Sequence, residues 1–121
     1  MNIENYGDIP QKLAPVLNAI SHPARIQIIL HLAKYDECQA GSISENLPLA
    51  RSTVSEHLNR LKEIGLINCN ARANYLFYSL NEEKFKLIVG LLKDFQLAVE
   101  QFSDNKKACC SFSSKGKGDT L

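Results

Sequence analysis

Two helical patterns separated by a short connection constrain the fold of this chain more than any other feature. In "RSTVSEHLNRLKEIG" (residues 51–65), apolar residues recur at helical spacing and a glycine is placed to end the helix. "GSISENL" (residues 41–47) predicts a shorter helix before it, and Ser42 and Glu45 fit the S-x-x-E capping box that opens many helices. Two helices joined by so short a connection are typical of a helix-turn-helix.

Two short runs with strand-like alternation follow the second of these helices. "LINCN" (residues 66–70) and "NYLFYSL" (residues 74–80) are rich in apolar and aromatic residues. The polar stretch "NARAN" (residues 70–74) lies between them and is typical of a turn. We therefore predict a two-stranded β-hairpin packed behind the helices, with Arg72 and Asn74 at its tip.

Two helices are predicted before this segment and one after it. "DIPQKLAPVLNAIS" (residues 8–21) has one apolar face, whereas "HPARIQIILHLAKY" (residues 22–35) is expected to begin at Pro23 and, because it is apolar all round, to be buried. Asn81 is placed to cap a long last helix, "EEKFKLIVGLLKDFQLAVEQF" (residues 82–102). This order predicts a mainly α winged helix-turn-helix with about five helices and two strands.

Length and composition limit the remaining possibilities. The 121 residues fit one domain, expected over residues 1–104, followed by a flexible cysteine-containing tail over residues 105–121. Neither a run of about 18 apolar residues nor a signal-peptide pattern is present, so we expect a cytoplasmic protein without a membrane partner. An enzyme is not expected, because the sequence lacks a phosphate-binding glycine loop, a nucleophile elbow and paired carboxylates at site-like spacing.

Apolar residues on the last helix recur with alternating spacings of three and four, which is a heptad seam suited to pairing with another helix. The roughly 20 residues of this helix span about 30 Å at 1.5 Å per residue, longer than so small a core needs. A homodimer is therefore expected, although the seam could instead only cover the core. The expected dimer-interface residues are Leu13, Leu17, Phe85, Ile88, Leu92, Phe95, Val99 and Phe102.

Positive charge is concentrated where the helix-turn-helix and the hairpin lie. The formal net charge of the chain is +1, but residues 51–80 carry four basic side chains against two acidic ones, while residues 1–50 carry three against five. This distribution favours a surface that faces the phosphates of double-stranded DNA. The second helix of the pair has its apolar side toward the core, so its polar side could enter the major groove.

The expected DNA contacts are of two kinds. Side chains in the N-terminal half of this helix are expected to read base edges: Ser52, Thr53, Ser55 and Glu56. Basic side chains on the same outward side are expected to hold phosphates: Arg51, Arg60 and Lys62. Asn59 also points outward, and the hairpin residues Arg72 and Asn74 suit a phosphate or a narrow minor groove. His57 could contact a phosphate or pack against the preceding helix, and the sequence leaves both open.

Three phrases of the sequence resemble one family of bacterial repressors. "LNAISHPARIQIILHL", "LPLARSTVSEHLNRLKEIGLI" and "ANYLFYSL" are similar to the first helices, the recognition segment and the wing of the ArsR/SmtB family. The resemblance covers about residues 10–103, and the recognition segment is its most specific part. It implies a dimeric metal- or thiol-responsive repressor that leaves its operator when an inducer binds.

The resemblance also shows where this sequence departs from the family pattern. Many relatives carry a C-x-C pair before the helix-turn-helix, whereas here "ECQAGSI" retains Cys38 and has Ala40 in place of the second thiol. Others hold zinc with histidines and carboxylates on the last helix, which here contains no histidine. A zinc site of that kind is therefore not expected.

Thiol chemistry is the remaining route to sensing, and no permanent cofactor is expected. Trivalent arsenic or antimony takes three sulfur ligands, and Cys109 and Cys110 in the tail, with Cys38 as the third, are the candidate metal ligands. Cys69 is interpreted as structural. The tail pair could instead be incidental, or it could react with oxidants or persulfide near Lys106 and Lys107. A winged-helix protein-interaction module without an operator is the alternative from another class.

Overall fold

The computed structural model describes residues 5–109, which form five helices and three short strands around one apolar core. In chain order these elements are α1 (Asp8–Ile20), α2 (Pro23–Lys34), β1 (Cys38–Gln39), α3 (Ala40–Ser44), α4 (Arg51–Glu63), β2 (Ile67–Arg72), β3 (Tyr75–Leu80) and α5 (Glu82–Asp104). The architecture confirms the predicted winged helix-turn-helix, with α3 and α4 as the helix-turn-helix and β2 and β3 as the wing.

Local signals place most of the helix ends where the sequence predicts them. α2 begins at Pro23, and the Nδ1 atom of His22 accepts a hydrogen bond from the Ala24 N–H at 3.0 Å. α4 ends just before Gly65, whose φ of +80° is a conformation that favours glycine. The Asn81 side chain caps α5 by accepting a hydrogen bond from the Lys84 N–H at 3.1 Å.

The capping box predicted for the third helix is wrong. α3 begins at Ala40, so Ser42 lies inside the helix and Glu45 follows its last residue. The start is set by β1, because the chain turns into the helix directly after the two residues that pair with β3.

β1 is the third strand that the sequence analysis missed. The sheet has the order β1-β3-β2, and both of its pairings are antiparallel. β1 contains only two residues, which is too short for an alternating pattern to be recognised. Its pairing places Cys38 opposite Tyr78, and Cys69 of β2 lies opposite Tyr78 from the other side.

α2 is less buried than its apolar sequence predicts. Its core side consists of Ala24, Ile28, Ile29 and Leu32. Ile26 and Leu30 are about half exposed, at 49% and 53%. The reason is that α2 packs on α4 and β3 along one side only, so its opposite side faces solvent.

The core fixes α4 firmly against the rest of the domain. Val54, Leu58 and Leu61 of this helix are completely buried at 0% exposure, together with Ile28 of α2. Burying such side chains stabilises the fold by about 1.5–3 kcal/mol each. The orientation of α4, and therefore of its polar side, is set by this packing.

α5 is the least buried helix relative to its length. Of its 23 residues, only Ile88 is buried, and α1 lies along it with Leu13 buried on the α1 side. Leu13 and Ile88, expected at a dimer interface, therefore belong to the core of the subunit. The other six expected interface residues are exposed: Leu17, Phe85, Leu92, Phe95, Val99 and Phe102. Across the part of the chain described, no helix combines the length and apolar character needed to cross a membrane.

Candidate nucleic-acid interface

The outward side of α4 is polar over its whole length. Six of the expected DNA-binding residues on this helix are exposed: Arg51, Ser52, Glu56, Asn59, Arg60 and Lys62. Thr53 and Ser55 are half-buried at the margin of the same side. A 13-residue helix with one side fixed to a core and a polar side free has the shape and chemistry to enter the major groove.

The N-terminal part of α4 and the tip of the wing lie next to each other. They border one open cavity of about 250 Å³, whose lining includes Arg51 and Ser55 from α4 and Asn74 from the turn of the wing. The Arg51 guanidinium also lies against α3, since a Cβ added to Gly41 would come within 3.3 Å of its Cζ atom. The structure therefore brings one predicted base-reading residue, Ser55, one predicted phosphate contact, Arg51, and one predicted wing contact, Asn74, to one surface.

Arg72 of the wing has partners within the chain that the sequence analysis did not predict. Its Nη2 atom donates a hydrogen bond to the Glu37 carboxylate at 2.7 Å, and its guanidinium lies 4.0 Å from the centre of the Phe77 ring. The turn beyond it contains Ala73 at a φ of 55°. Arg72 thus stands beside the tip of the wing but is already paired with a carboxylate beside β1.

His57 lies largely buried beside Glu56, Asn59 and Arg60, so the structure does not support the direct DNA contact expected as one of its two roles. It is buried, at 8% exposure, and packs against α2 rather than against the preceding helix α3. Its Nδ1 atom accepts a hydrogen bond from Arg25 Nε at 3.0 Å. Burial contributes most to lowering the pKa of His57, the neighbouring His22 and Arg25 lower it further, and Glu56 opposes the effect.

The cysteines of the described residues lie in different environments. Cys38 is buried at 7% exposure, and burial raises the pKa of its thiol, which favours the protonated and less reactive form. Cys109 is exposed beyond the end of α5, and Cys110 lies outside the described residues. Within residues 5–109, no three His, Cys, Asp or Glu side chains are grouped so that they could hold a metal ion.

Cys69 lies in the sheet beside the buried Tyr78, in agreement with a structural role. Burial, and next the neighbouring Cys69, raise the pKa of Tyr78. Cys38 and Cys69 flank Tyr78 from opposite sides, which places them two strand spacings or roughly 10 Å apart. A disulfide between them is excluded without backbone movement, because it requires Cα atoms within about 7 Å.

Two interactions at this site were missed by the sequence analysis for the same reason. Arg25 and His57 are separated by 32 residues, and Glu37 and Arg72 by 35. Each pair meets only because elements distant in sequence pack together. The charge of each residue was visible in the sequence, but its partner was not.

Comparison with known proteins identifies the family. The profile described as "Bacterial regulatory protein, arsR family" matches residues 22–68, which include α2, α3 and α4. The chain is 32% identical over 84 residues to the HTH-type transcriptional regulator YgaV of Escherichia coli, covering 69% of this chain and 85% of YgaV. It is 32% identical over 92 residues to the transcriptional activator HlyU of Vibrio cholerae, covering 76% and 84% of the two chains.

A third relative and two solved structures agree. The transcriptional repressor SdpR of Bacillus subtilis is 38% identical over 66 residues, covering 54% of this chain and 72% of SdpR. The fold matches an ArsR-like transcriptional regulator from Rhodococcus with a TM-score of 0.67 at 22% identity, over 77% and 87% of the two chains. A structure described as reduced HlyU matches with a TM-score of 0.55 at 32% identity, over 67% and 84%.

The three relatives named above are transcriptional regulators, which agrees with the expectation that the chain is not an enzyme. The chain belongs to the ArsR family of bacterial regulatory proteins.

Proposed function

We propose that this protein is a dimeric transcriptional repressor that binds operator DNA through α4 and the wing, and that leaves it when a thiol-reactive inducer acts on its cysteines. The observation that carries the proposal is the shared surface formed by the polar side of α4 and the tip of the wing. Repression agrees with the name of SdpR, whereas HlyU is named an activator.

The contacts with DNA follow from the exposed chemistry. Hydroxyl and carboxylate groups near the start of α4 have the size and polarity to hydrogen-bond base edges: Ser52, Thr53, Ser55 and Glu56. Arg51, Arg60 and Lys62 hold the protein on the phosphates, which positions it without specifying sequence. Asn74, and Arg72 when it is released from Glu37, extend the contact from the wing.

A dimer is supported by the apolar side chains that α5 leaves uncovered. Phe95, Val99 and Phe102 are 46%, 50% and 70% exposed on one subunit. Large contiguous apolar surfaces of this kind mark interaction sites in soluble proteins. Two copies related by a two-fold axis would present two α4 helices, which suits a palindromic operator with half-sites about 34 Å apart.

The inducer is proposed to be trivalent arsenic or antimony, bound by Cys109 and Cys110 of the tail with Cys38 as the third ligand. Soft thiolates select such ions. Cys38 is the ligand that joins the tail to the DNA-binding part, because it opens β1 immediately before α3. The burial of Cys38 means that its thiol must lose a proton and become accessible when the ion is bound.

A second candidate inducer, an oxidant or a persulfide, is favoured by one specific observation. A solved relative, HlyU of Vibrio cholerae, is described as reduced. In this chain the corresponding chemistry would convert the thiols of Cys38 and of either Cys109 or Cys110 to a disulfide, with two protons released and two electrons passing to the oxidant.

The DNA interface is tested by removing two charges from it. Arg60→Ala with Arg72→Ala should weaken operator binding, measured by gel shift at constant salt, because both lie on the proposed DNA-facing surface. The matched control is Lys34→Ala with Lys93→Ala, which removes the same charge from exposed positions on α2 and α5. Equal affinities of the two double variants would remove α4 and the wing from the proposed interface.

The inducer is tested by the release of bound DNA. Arsenite and a persulfide donor are added separately to the protein–operator complex, in the wild type and in Cys109→Ser with Cys110→Ser. Release by arsenite alone supports the metalloid, and release by persulfide that is reversed by a dithiol reductant supports the redox reaction. A double variant that still responds to both would rule out the tail cysteines as the sensor.

A further inference from the structure

A polar cluster on the core side of α4 has no part in the DNA contacts assigned above. It consists of His22 and Arg25 at the start of α2 and His57 in the middle of α4, and we refer to it as the His57 cluster. Arg25 Nε donates to His57 Nδ1 at 3.0 Å, and the two imidazole rings lie with their centroids 4.4 Å apart at 46°. α4 is therefore joined to α2 by a specific polar contact as well as by apolar packing.

The Arg25 guanidinium links three helices. Besides its bond to His57, its Nη1 atom donates to the Ala19 carbonyl near the end of α1 at 2.8 Å. Both bonds are partly buried, so water competes with them less than it would on the surface. Loss of the His57 acceptor would leave an arginine donor without its partner at the junction of α1, α2 and α4.

The hydrogen bond from Arg25 shows which nitrogen of His57 is free of a proton. The Arg25 Nε–H group can only donate, so the Nδ1 atom of His57 that receives it must be unprotonated. The Nδ1 atom of His22 likewise accepts from the Ala24 N–H at 3.0 Å. A proton placed on the Nδ1 atom of His57 would turn an acceptor into a donor that faces the Arg25 donor.

The surroundings of His57 oppose its protonation. The titratable and charged groups that face it are His22 and Arg25 from α2 and Glu56 from its own helix, and Arg60 lines the same cavity of about 410 Å³. Burial contributes most to lowering the pKa of His57, and only Glu56 acts in the opposite direction. The neutral imidazole is the form for which this site is built.

The position of His57 connects the cluster to DNA binding. It directly follows Glu56, a proposed base contact, and precedes the exposed phosphate contact Arg60 by three residues on the same helix. Contacts to base edges depend on supporting residues that hold them within about 0.5 Å of the productive geometry. A change in how α4 is held at His57 would therefore shift the side chains on the surface proposed to face DNA.

We infer that His57 is a positioning residue whose neutral imidazole, held by Arg25, keeps α4 in its DNA-reading orientation, so that acidification loosens operator binding. This inference rests on the proposed function. The direction of the effect is diagnostic, because the added positive charge of a protonated histidine would by itself strengthen attraction to phosphates. A specific affinity that falls on acidification is opposite in sign to that general effect.

The linkage has a definite pH window. Because the pKa of His57 is lower in the folded form, the ordered state keeps its full stability while the pH stays above about 6.5, the ordinary pKa of a histidine. As pH falls below that value, the unfolded or displaced state takes up protons first, and the ordered state becomes progressively less favoured. The loss continues until pH passes through the lowered pKa of His57.

The experiment measures operator affinity by fluorescence anisotropy between pH 8 and about pH 5.5 at fixed ionic strength, with circular dichroism at each pH. On acidification the wild-type affinity should fall about tenfold, the effect expected when the hydrogen bond between the charged Arg25 and His57 is lost. In His57→Asn, the Oδ1 atom can accept from Arg25 in place of Nδ1 and does not titrate, so this variant should retain most of its affinity at acid pH. His31→Asn, on another part of α2, is the matched control and should follow the wild type.

A wild-type affinity that stays constant or rises on acidification would overturn the inference, as would a His57→Asn variant that loses as much as the wild type. If that variant does not fold, nitrogen chemical shifts of the wild-type imidazoles decide the question. The His57 ring should carry its proton on Nε2 at pH 8 and titrate in step with the affinity, and a mismatch overturns the inference. Absence of operator binding at pH 8 would instead refute the proposed function itself.

Discussion

Arg72 illustrates how a single residue at the interface can have two competing roles. It lies 2.7 Å from the Glu37 carboxylate and stacks on the Phe77 ring, yet it stands at the end of the wing where a phosphate would approach. Its side chain is 57% exposed, so the bond to Glu37 is largely screened by solvent. A DNA phosphate that binds Arg72 would therefore have to replace only a weakly held partner, the Glu37 carboxylate.

Glu37→Gln should strengthen operator binding, because Arg72 would no longer be neutralised by a carboxylate. Exposed ion pairs contribute about 0.2–1 kcal/mol, so the expected gain in affinity is up to about fivefold at low salt. The measurement is anisotropy across a salt series. Asp36→Asn, which removes the exposed charge next to Glu37 and leaves the Glu37–Arg72 pair in place, is the control, and an equal gain in both variants would show that only net charge matters.

The contacts of Arg72 could not be predicted from the sequence. Its charge and its place near the hairpin tip were visible, but Glu37 precedes a two-residue strand whose existence depends on pairing with β3. His57 is a second residue whose surroundings could not be predicted from the sequence. Its polar character predicted a contact to DNA as one possibility, and only the packing of α2 on α4 shows that it faces inward.

At the scale of elements, the junction between the wing and α5 depends on Asn81. Its Oδ1 atom accepts from the Lys84 N–H to cap α5, while its Nδ2 atom donates to the Gly65 carbonyl at 3.0 Å. Its backbone N–H also donates to the Leu66 carbonyl at 2.9 Å. One residue thus joins the end of α4, the start of β2 and the start of α5.

Asn81→Ala should lower the free energy of unfolding by about 1–2 kcal/mol, since it removes both the helix cap and the bond to Gly65. Urea denaturation followed by circular dichroism measures the change. Asn81→Asp retains an acceptor for the cap but lacks the amide donor, so it should fall between the wild type and Asn81→Ala. An alanine variant as stable as the wild type would show that this junction contributes nothing.

The elements that the sequence predicted correctly are those whose signals are local and long. α2 starts at its proline, α4 stops before its glycine and α5 is capped by its asparagine, as expected. α3 and β1 were misplaced or missed because five and two residues carry too little periodicity, and because their limits are set by pairing with β3. Ile26 and Leu30 were placed inside for a related reason, since apolar character does not reveal which sides of a helix have neighbours.

At the scale of the whole molecule, residues 5–109 of one subunit leave α5 uncovered along much of its length. The helix spans 23 residues, or about 34 Å, and α1 covers only part of it. Phe95 and Phe102 are among its exposed apolar side chains. In the proposed dimer these residues meet their counterparts, and the distance between the two α4 helices is fixed.

Phe95→Glu with Phe102→Glu should convert the proposed dimer to a monomer, because each charge would be buried against its own copy in the interface. Sedimentation velocity measures the mass, and circular dichroism confirms that the subunit remains folded. The matched control is Gln96→Glu with Gln101→Glu, which adds two acidic groups to the same helix at exposed polar positions. A wild-type protein that sediments as a monomer would contradict the dimer directly.

The most direct test of DNA reading by α4 is the specificity ratio, which is the affinity for a selected operator divided by that for a shuffled duplex at the same salt. For the wild type we expect a ratio of at least about 10³. Ser52→Ala with Glu56→Ala should lower this ratio, because it removes proposed base contacts, whereas Arg60→Ala should weaken both affinities and leave the ratio unchanged. A wild-type ratio near one, or a ratio that the Ser52 and Glu56 changes leave intact, would contradict the proposal that α4 reads the operator.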